Sequence, residues 1–310
     1  MNNNDTYTRK RNSSTLWTSS KKQKKRRRKG FLSSLRKRLR ENAGNKTAQR
    51  EVLKTISTHF SENNAEICDL NSTNLTCWYD YFLNDSNGVV KLILSRNQLN
   101  SLGKIFGNVQ QNLQILEIND NNLKSFPDSI QFMKCLTELV AQRNQIDSLP
   151  THFSAMKSLV SLNLSENKLS SLKHLEGLNH LQKLVVKNNQ ISHIDKDVIS
   201  SWTSLRHLEL DGNLLTEISS SIEALAKTLI VLCVSHNAIR ALPSTIGSLT
   251  SLKRLNLRFN SIECIPASIS KCTNLTKLLL HGNESTLKEP PFSVCVNGVK
   301  NVALWYENNK

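Results

Sequence analysis

Apolar residues recur along most of this chain at a spacing that fits neither a long amphipathic helix nor a plain alternating strand. They fall in the frame Leu-x-x-Leu-x-Leu-x-x-Asn, with Ile, Val or Ala substituting. One copy runs Leu113, Leu116, Ile118 and Asn121, and the next Leu136, Leu139, Ala141 and Asn144. The copies continue through Leu159 to Asn167, Leu181 to Asn189, Leu205 to Asn213, Leu229 to Asn237, Leu252 to Asn260 and Leu275 to Asn283. Upstream, Val89, Leu92, Leu94 and Asn97 form a good copy. Ala65, Cys68, Leu70 and Thr73 form a degenerate one in which Thr73 stands for the Asn. Successive copies start 22 to 24 residues apart.

Each position in the frame has a physical task. The alternating pair, as in Leu116 and Ile118, predicts a short strand with one face inward, so about ten copies side by side predict one parallel sheet. The Asn turns inward, where its amide satisfies backbone groups that would otherwise be buried unpaired. The second half of each copy, as in Leu149-Pro150 with Phe153 and Met156 or Leu242-Pro243 with Ile246 and Leu249, predicts an extended or 3₁₀-like segment on the opposite side. No single copy buries its own leucines, so the stack is one cooperative unit.

This pattern, over roughly residues 65–290, resembles the leucine-rich repeat family, and its ~23-residue form resembles the intracellular Ras-suppressor and Scribble/Erbin type. The resemblance implies an α/β solenoid, a horseshoe with a parallel sheet on its concave wall and helical caps at both ends. Pro290, Pro291, Phe292, Gly298 and Tyr306 look like the ending of those proteins, with Glu284 and Ser285 departing from it. At the other end Val52, Leu53, Ile56 and Phe60 predict an amphipathic capping helix. The expected organisation is a disordered polybasic tail over 1–46, an N-terminal capping helix over 47–64, repeats over 65–288 and a C-terminal cap over 289–310.

Charge changes the picture at one end only. Of the net +16, a surplus of 15 lies in the first 50 residues, which hold 17 basic and two acidic side chains. The repeat body is nearly neutral, which excludes a protein that coats nucleic acid with its whole surface. Within the tail, Lys21, Lys22, Lys24, Lys25, Arg26, Arg27, Arg28 and Lys29 form one run, and Arg36, Lys37, Arg38 and Arg40 a second. Such runs repel and stay disordered until a polyanion neutralises them. Three functional readings stay open beside a plain solvated spacer. They are a nuclear import signal, contact with nucleic acid or anionic lipid, and a basic amphipathic helix over 31–40 built on Phe31, Leu32, Leu35 and Leu39. The first residues are polar and basic and no apolar run reaches about 20 residues, which predicts an intracellular chain that is neither secreted nor membrane-spanning.

The chemistry of catalysis is missing. Seven cysteines are scattered without metal-ligand spacing, phosphate-loop and nucleophile-elbow motifs are absent, and the histidines are dispersed among the repeats. Ser154 and Lys157 match Ser-x-x-Lys by chance, on the convex half of a repeat. No enzyme, cofactor or metal is implied.

The candidate ligand surface is the concave wall. Glu117, Asn119 and Asp120, with Glu138, predict an acidic patch, and Glu209 with Asp211 a second. Lys253, Arg254, Arg258, Phe259, Lys277 and His281 predict a basic patch with one aromatic, suited to an acidic peptide or a phosphate-bearing partner. The functional expectation is a monomeric, non-enzymatic scaffold binding a protein partner on that wall. By resemblance, small-GTPase or phosphatase-linked signalling is its setting. The alternative is a nuclear RNA- or chromatin-associated protein that uses its tail for nucleic-acid contact.

Overall fold

The computed structural model describes residues 33–53, 67–76, 89–102 and 112–309. Ten strands of three residues each lie in chain order in one parallel sheet. They are β1 Ile67–Asp69, β2 Lys91–Ile93, β3 Ile115–Glu117, β4 Glu138–Val140, β5 Ser161–Asn163, β6 Lys183–Val185, β7 His207–Glu209, β8 Val231–Cys233, β9 Arg254–Asn256 and β10 Lys277–Leu279. The register sets the second leucine of each repeat beside its counterpart, from Leu92 and Leu116 through to Leu255 and Leu278. In β2 through β9 that leucine is buried, while the residues on either side of it face the concave wall. The leucine-rich repeat solenoid expected from the sequence is therefore the fold.

The asparagines behind the strands hold the coil. Asn189 is typical: its Nδ2 donates to the carbonyls of Val186 in its own turn and Leu164 in the preceding one, and its Oδ1 accepts from the Leu169 N–H. The same set of bonds recurs at Asn97, Asn121, Asn144, Asn167, Asn213, Asn237, Asn260 and Asn283. In the degenerate first copy Thr73 Oγ1 donates to the Leu70 carbonyl and passes the other contacts to Asn97.

Bringing each Asn inward forces the residue before it into the left-handed region. Arg96, Asp120, Arg143, Glu166, Asn188, His236 and Phe259 have φ between 51° and 56°, and Gly212 and Gly282 occupy the same place. Roughly 1–2 kcal/mol opposes each non-glycine residue there, so the ladder bonds hold the conformation. The result is a column of side chains at fixed spacing along the edge where the strands end.

On the convex side, 3₁₀ segments such as Asp128–Phe132, Ser244–Ser248 and Ala267–Lys271 follow Pro127, Pro243 and Pro266, whose fixed φ starts each turn. One 24-residue repeat carries a short α-helix instead, Lys196–Ser201, and fills the wider gap with buried Trp202, whose Nε1 donates to the Leu175 carbonyl.

Both ends are covered. C-terminal helices Phe292–Cys295 and Val299–Asn308 bury Cys295 and Val302, and the Tyr306 hydroxyl donates to the Ile265 carbonyl at 2.6 Å. The departure at Glu284 is accommodated by its carboxylate accepting from the Gly282 N–H, and Leu287 is buried three residues on.

At the N-terminus the described part of the segment expected as tail, with its helix over 31–40, is helical. Residues 33–41 form helix α1 and residues 46–53 helix α2. Leu35 and Leu39 of α1, with Val52 and Leu53 of α2, are buried in the same core as the repeats. Arg36 and Arg40, expected as targeting residues, instead reach the first repeat. Arg36 forms an ion pair with Asp69 and donates to its carbonyl, and Arg40 donates to the carbonyl of Ser72 at 2.7 Å. Buried Gln49 adds a bond to the Asn74 carbonyl. The physical reason is that Leu35 and Leu39, one helical turn apart, find the apolar end of the stack. Lys37 and Arg38 remain exposed. The basic run Lys21 to Lys29, and Ile56 and Phe60 of the expected capping helix, lie outside the described residues.

Two substitutions test this arrangement. Asn189→Ala strands the Leu169 N–H and takes one of two donors from each of the Leu164 and Val186 carbonyls, which keep Asn167 and Asn213. It is expected to lower unfolding free energy by about 1–3 kcal/mol in urea titration, against about 0.5 kcal/mol or less for exposed Gln190→Ala. Leu39→Ala is expected to cost about 2–4 kcal/mol if α1 is part of the core. A free tail helix would show no change, as exposed Lys37→Ala is expected to show.

Candidate concave interface

The wall is read as four columns, because neighbouring repeats differ by one strand spacing of about 4.8 Å. Three columns are the outward residues of each strand and the residue two places beyond it. The fourth is the left-handed column at the edge.

The predicted acidic patches are largely neutralised by cations one repeat away. Glu117 pairs with Lys91 across β2 and β3. Asp120 pairs with Arg143, which also reaches Glu166 at 3.6 Å, so the edge runs Arg96, Asp120, Arg143, Glu166 in alternating sign. The hydrogen bond from Arg143 holds the Asp120 carboxyl below the ordinary aspartate range, and the nearby charges of Arg143 and Arg96 add to it against partial burial. Asn119 has its carbonyl oxygen buried without a hydrogen-bond partner among the described residues.

Glu209 and Asp211 share one cation, Lys187. Partial burial works against that charged amine, but the bonds to Glu209 and Asp211 outweigh it and raise its pKa. Asp211 also accepts from the backbone N–H and the hydroxyl of Ser235. These groups line a concave cavity of about 460 Å³ together with Lys183, His207, Val231, Cys233, Arg254 and Asn256. Burial, then the charges of Asp211 and Glu209, push the Cys233 thiol up to about 11, which keeps it protonated at pH 7. The two residues of the chance Ser-x-x-Lys match have structural places on the convex half. Ser154 sits in the 3₁₀ segment Phe153–Ala155, and Lys157 donates to the Gly177 carbonyl of the next turn.

The predicted basic patch is divided by the fold. Arg254 and Lys277, as first residues of β9 and β10, face the concave wall, and Arg258 follows in the third column. No ion pair among the described residues involves these three, and the Nε atoms of Arg254 and Arg258 are buried without a hydrogen-bond partner. Phe259 lies in the left-handed column, 52% exposed, and stacks on His236 with ring centroids 4.3 Å apart. Gly282 makes room for it, since a Cβ there would lie 2.6 Å from the Phe259 ring. His281 flanks the pair and meets Phe292 edge-on at 5.8 Å. Lys253 leaves the group, because it precedes β9 and lines a different groove on the opposite edge.

The sequence reading missed the inter-repeat ion pairs and the His236–Phe259 stack. A signal was available, since opposite charges in adjacent columns, one repeat apart, mark each pair. Among the described residues no cluster of three His, Cys, Asp or Glu is placed to hold a metal, and no helix is long and apolar enough to cross a membrane.

Comparison with known proteins matches residues 87–146, 147–191, 179–230 and 227–284 to the leucine rich repeat family. An adenylate cyclase of Podospora anserina is 27% identical over 207 residues, 66% of this chain and 8% of the cyclase. A leucine-rich repeat protein of Leptospira interrogans superposes with a TM-score of 0.70 at 28% identity, covering 79% of this chain and 61% of that one. The plant peptide hormone receptor RGFR1 in complex with RGF2 gives 0.50 at 26% identity, covering 70% and 43%. The chain thus spans a small part of the cyclase and less than two thirds of either solved chain.

Carboxyl-detected NMR titration checks the edge pairing. Asp120 is expected to titrate below the ordinary value of about 3.9, and Arg143→Ala to move it upward. Because the folded value is depressed, the pair's stabilisation is present above the ordinary aspartate pKa and is lost as pH falls through the depressed one.

Proposed function

Because the chain belongs to the leucine-rich repeat family, we propose that it is a non-enzymatic adaptor whose concave wall binds an acidic segment of a protein partner at the last three repeats. Proteins of this fold generally mediate protein–protein contacts, and the plant receptor shares it while bound to a peptide hormone. The observation that carries the reading is the asymmetry of charge along the wall. Lys91, Arg143 and Lys187 of the early and middle repeats are paired with carboxylates, while Arg96 and Lys183 there are not, among the described residues. The last repeats gather Arg254, Arg258 and Lys277 with no ion pair among the described residues, in the repeats that also carry the exposed Phe259. Unpaired guanidiniums next to a rigid aromatic are the features of an anchoring site for a carboxylate-rich chain. The cyclase likeness does not move this reading, since it covers 8% of that enzyme.

The finer setting follows from the resemblance to the Ras-suppressor type. It is an intracellular adaptor in small-GTPase or phosphatase-linked signalling, with the basic run Lys21 to Lys29 governing where the protein goes.

Affinity capture from cells tests it. Arg254→Glu, Arg258→Glu and Lys277→Glu together are expected to remove a set of captured proteins while leaving the urea midpoint within error. An unchanged set sinks the site. Removing residues 1–32, and no further because α1 and α2 belong to the stack, is expected to change location and leave the captured set intact. Loss of all partners, with nuclease-sensitive association, would favour the nuclear RNA- or chromatin-bound alternative.

A further inference from the structure

The edge where the chain enters the strands carries a second groove, of about 470 Å³. Unlike the concave cavity of similar size, its lining includes no acidic residue, and three cations border it: Arg206, Lys227 and Lys253. All three are exposed, and no ion pair among the described residues involves them.

Their spacing is set by the solenoid. His207, Val231 and Arg254 are register partners across β7, β8 and β9. Arg206 and Lys253 each precede one of them, and so stand two strand spacings apart, about 10 Å. Lys227 comes from the segment between the 3₁₀ turn Ser220–Leu225 and β8, four residues before Val231. Three like charges bordering one groove repel one another, and a multiply charged anion placed among them relieves that repulsion.

The other polar groups narrow the ligand. Ser251 already donates to the Lys227 carbonyl, Thr203 to that of Asn179, and one of the two amide N–H groups of Asn274 to that of Thr250. The donors left are the three cations, the exposed amide of Gln182, the second N–H of Asn274 and the Ser204 hydroxyl. Three cations with no carboxylate among the lining residues, and neutral donors around them, suit oxyanions over neutral sugars or peptides, and the volume lies in the range of small-molecule sites.

We propose that this groove binds a small molecule carrying two or more phosphate groups, held by Arg206, Lys227 and Lys253. The site is separate from the concave wall and independent of the protein partner argued above.

The test uses the full chain, with inositol hexakisphosphate as the soluble probe and phosphatidylcholine vesicles with and without phosphatidylinositol bisphosphate as the lipid probe. Because the tail also attracts polyanions, titration calorimetry is run in a background where Lys21, Lys22, Lys24, Lys25, Arg26, Arg27, Arg28 and Lys29 are all changed to Gln. One equivalent of the soluble probe is expected to bind. The triple variant Arg206→Gln, Lys227→Gln, Lys253→Gln is expected to weaken it by about tenfold or more, and the exposed single change Lys227→Gln by a smaller factor, with unchanged thermal melting. Groove-dependent binding to vesicles as well assigns the phosphate to a lipid headgroup, and binding to the soluble probe alone assigns it to a free metabolite. The proposal is overturned if the tail-neutral chain binds neither probe, or binds them equally well after the groove substitutions.

Discussion

A coil of 22 to 24 residues per turn has an unavoidable difficulty at the end of each strand. The chain must bend away while carbonyls such as Leu164 and Val186 still point into the core, where no strand is left to pair them. A buried, unpaired carbonyl costs about 1–3 kcal/mol. A single amide per turn removes the difficulty, because Asn189 donates to both of these and accepts the Leu169 N–H from the turn before. Every other dimension of the body follows from repeating that solution: the three-residue strands, the in-register leucines and the convex turns that return the chain to its start.

The same solution fixes the surface. Since the residue before each Asn is held left-handed, its side chain leaves the coil in the same direction on every turn. The edge is thereby a ruler with marks about one strand spacing apart, and what is written on it changes along its length. Arg96 to Glu166 form an alternating ionic row, while His236 and Phe259 form an aromatic step beside unmatched cations. The backbone is nearly identical at both places, so the difference in what each attracts comes entirely from side chains.

The repeat and the positions facing the wall were legible because they rest on periodic spacing, which needs no long-range information. What sequence spacing alone does not settle is which side chains meet across turns. Glu209 and Asp211 look like a free acidic pair until Lys187, more than 20 residues away, is seen beside them. Lys253 and Arg254 are neighbours in sequence and part company because β9 begins between them, which sends one to the edge and the other to the wall. Leu35 and Leu39 carry the spacing of a helix with one apolar face. That spacing is the same whether the face meets a membrane or the end of the stack, and only the docked structure distinguishes them.

Docking of α1 also changes what the basic end of the chain offers. Arg36 and Arg40 are taken up by carbonyls of the first repeat, so their charge holds the cover in place. The face of α1 turned to water keeps Lys37 and Arg38, which are the cations of this helix that a polyanion meets. One short helix thereby divides its basic side chains between sealing the stack and meeting whatever lies outside it.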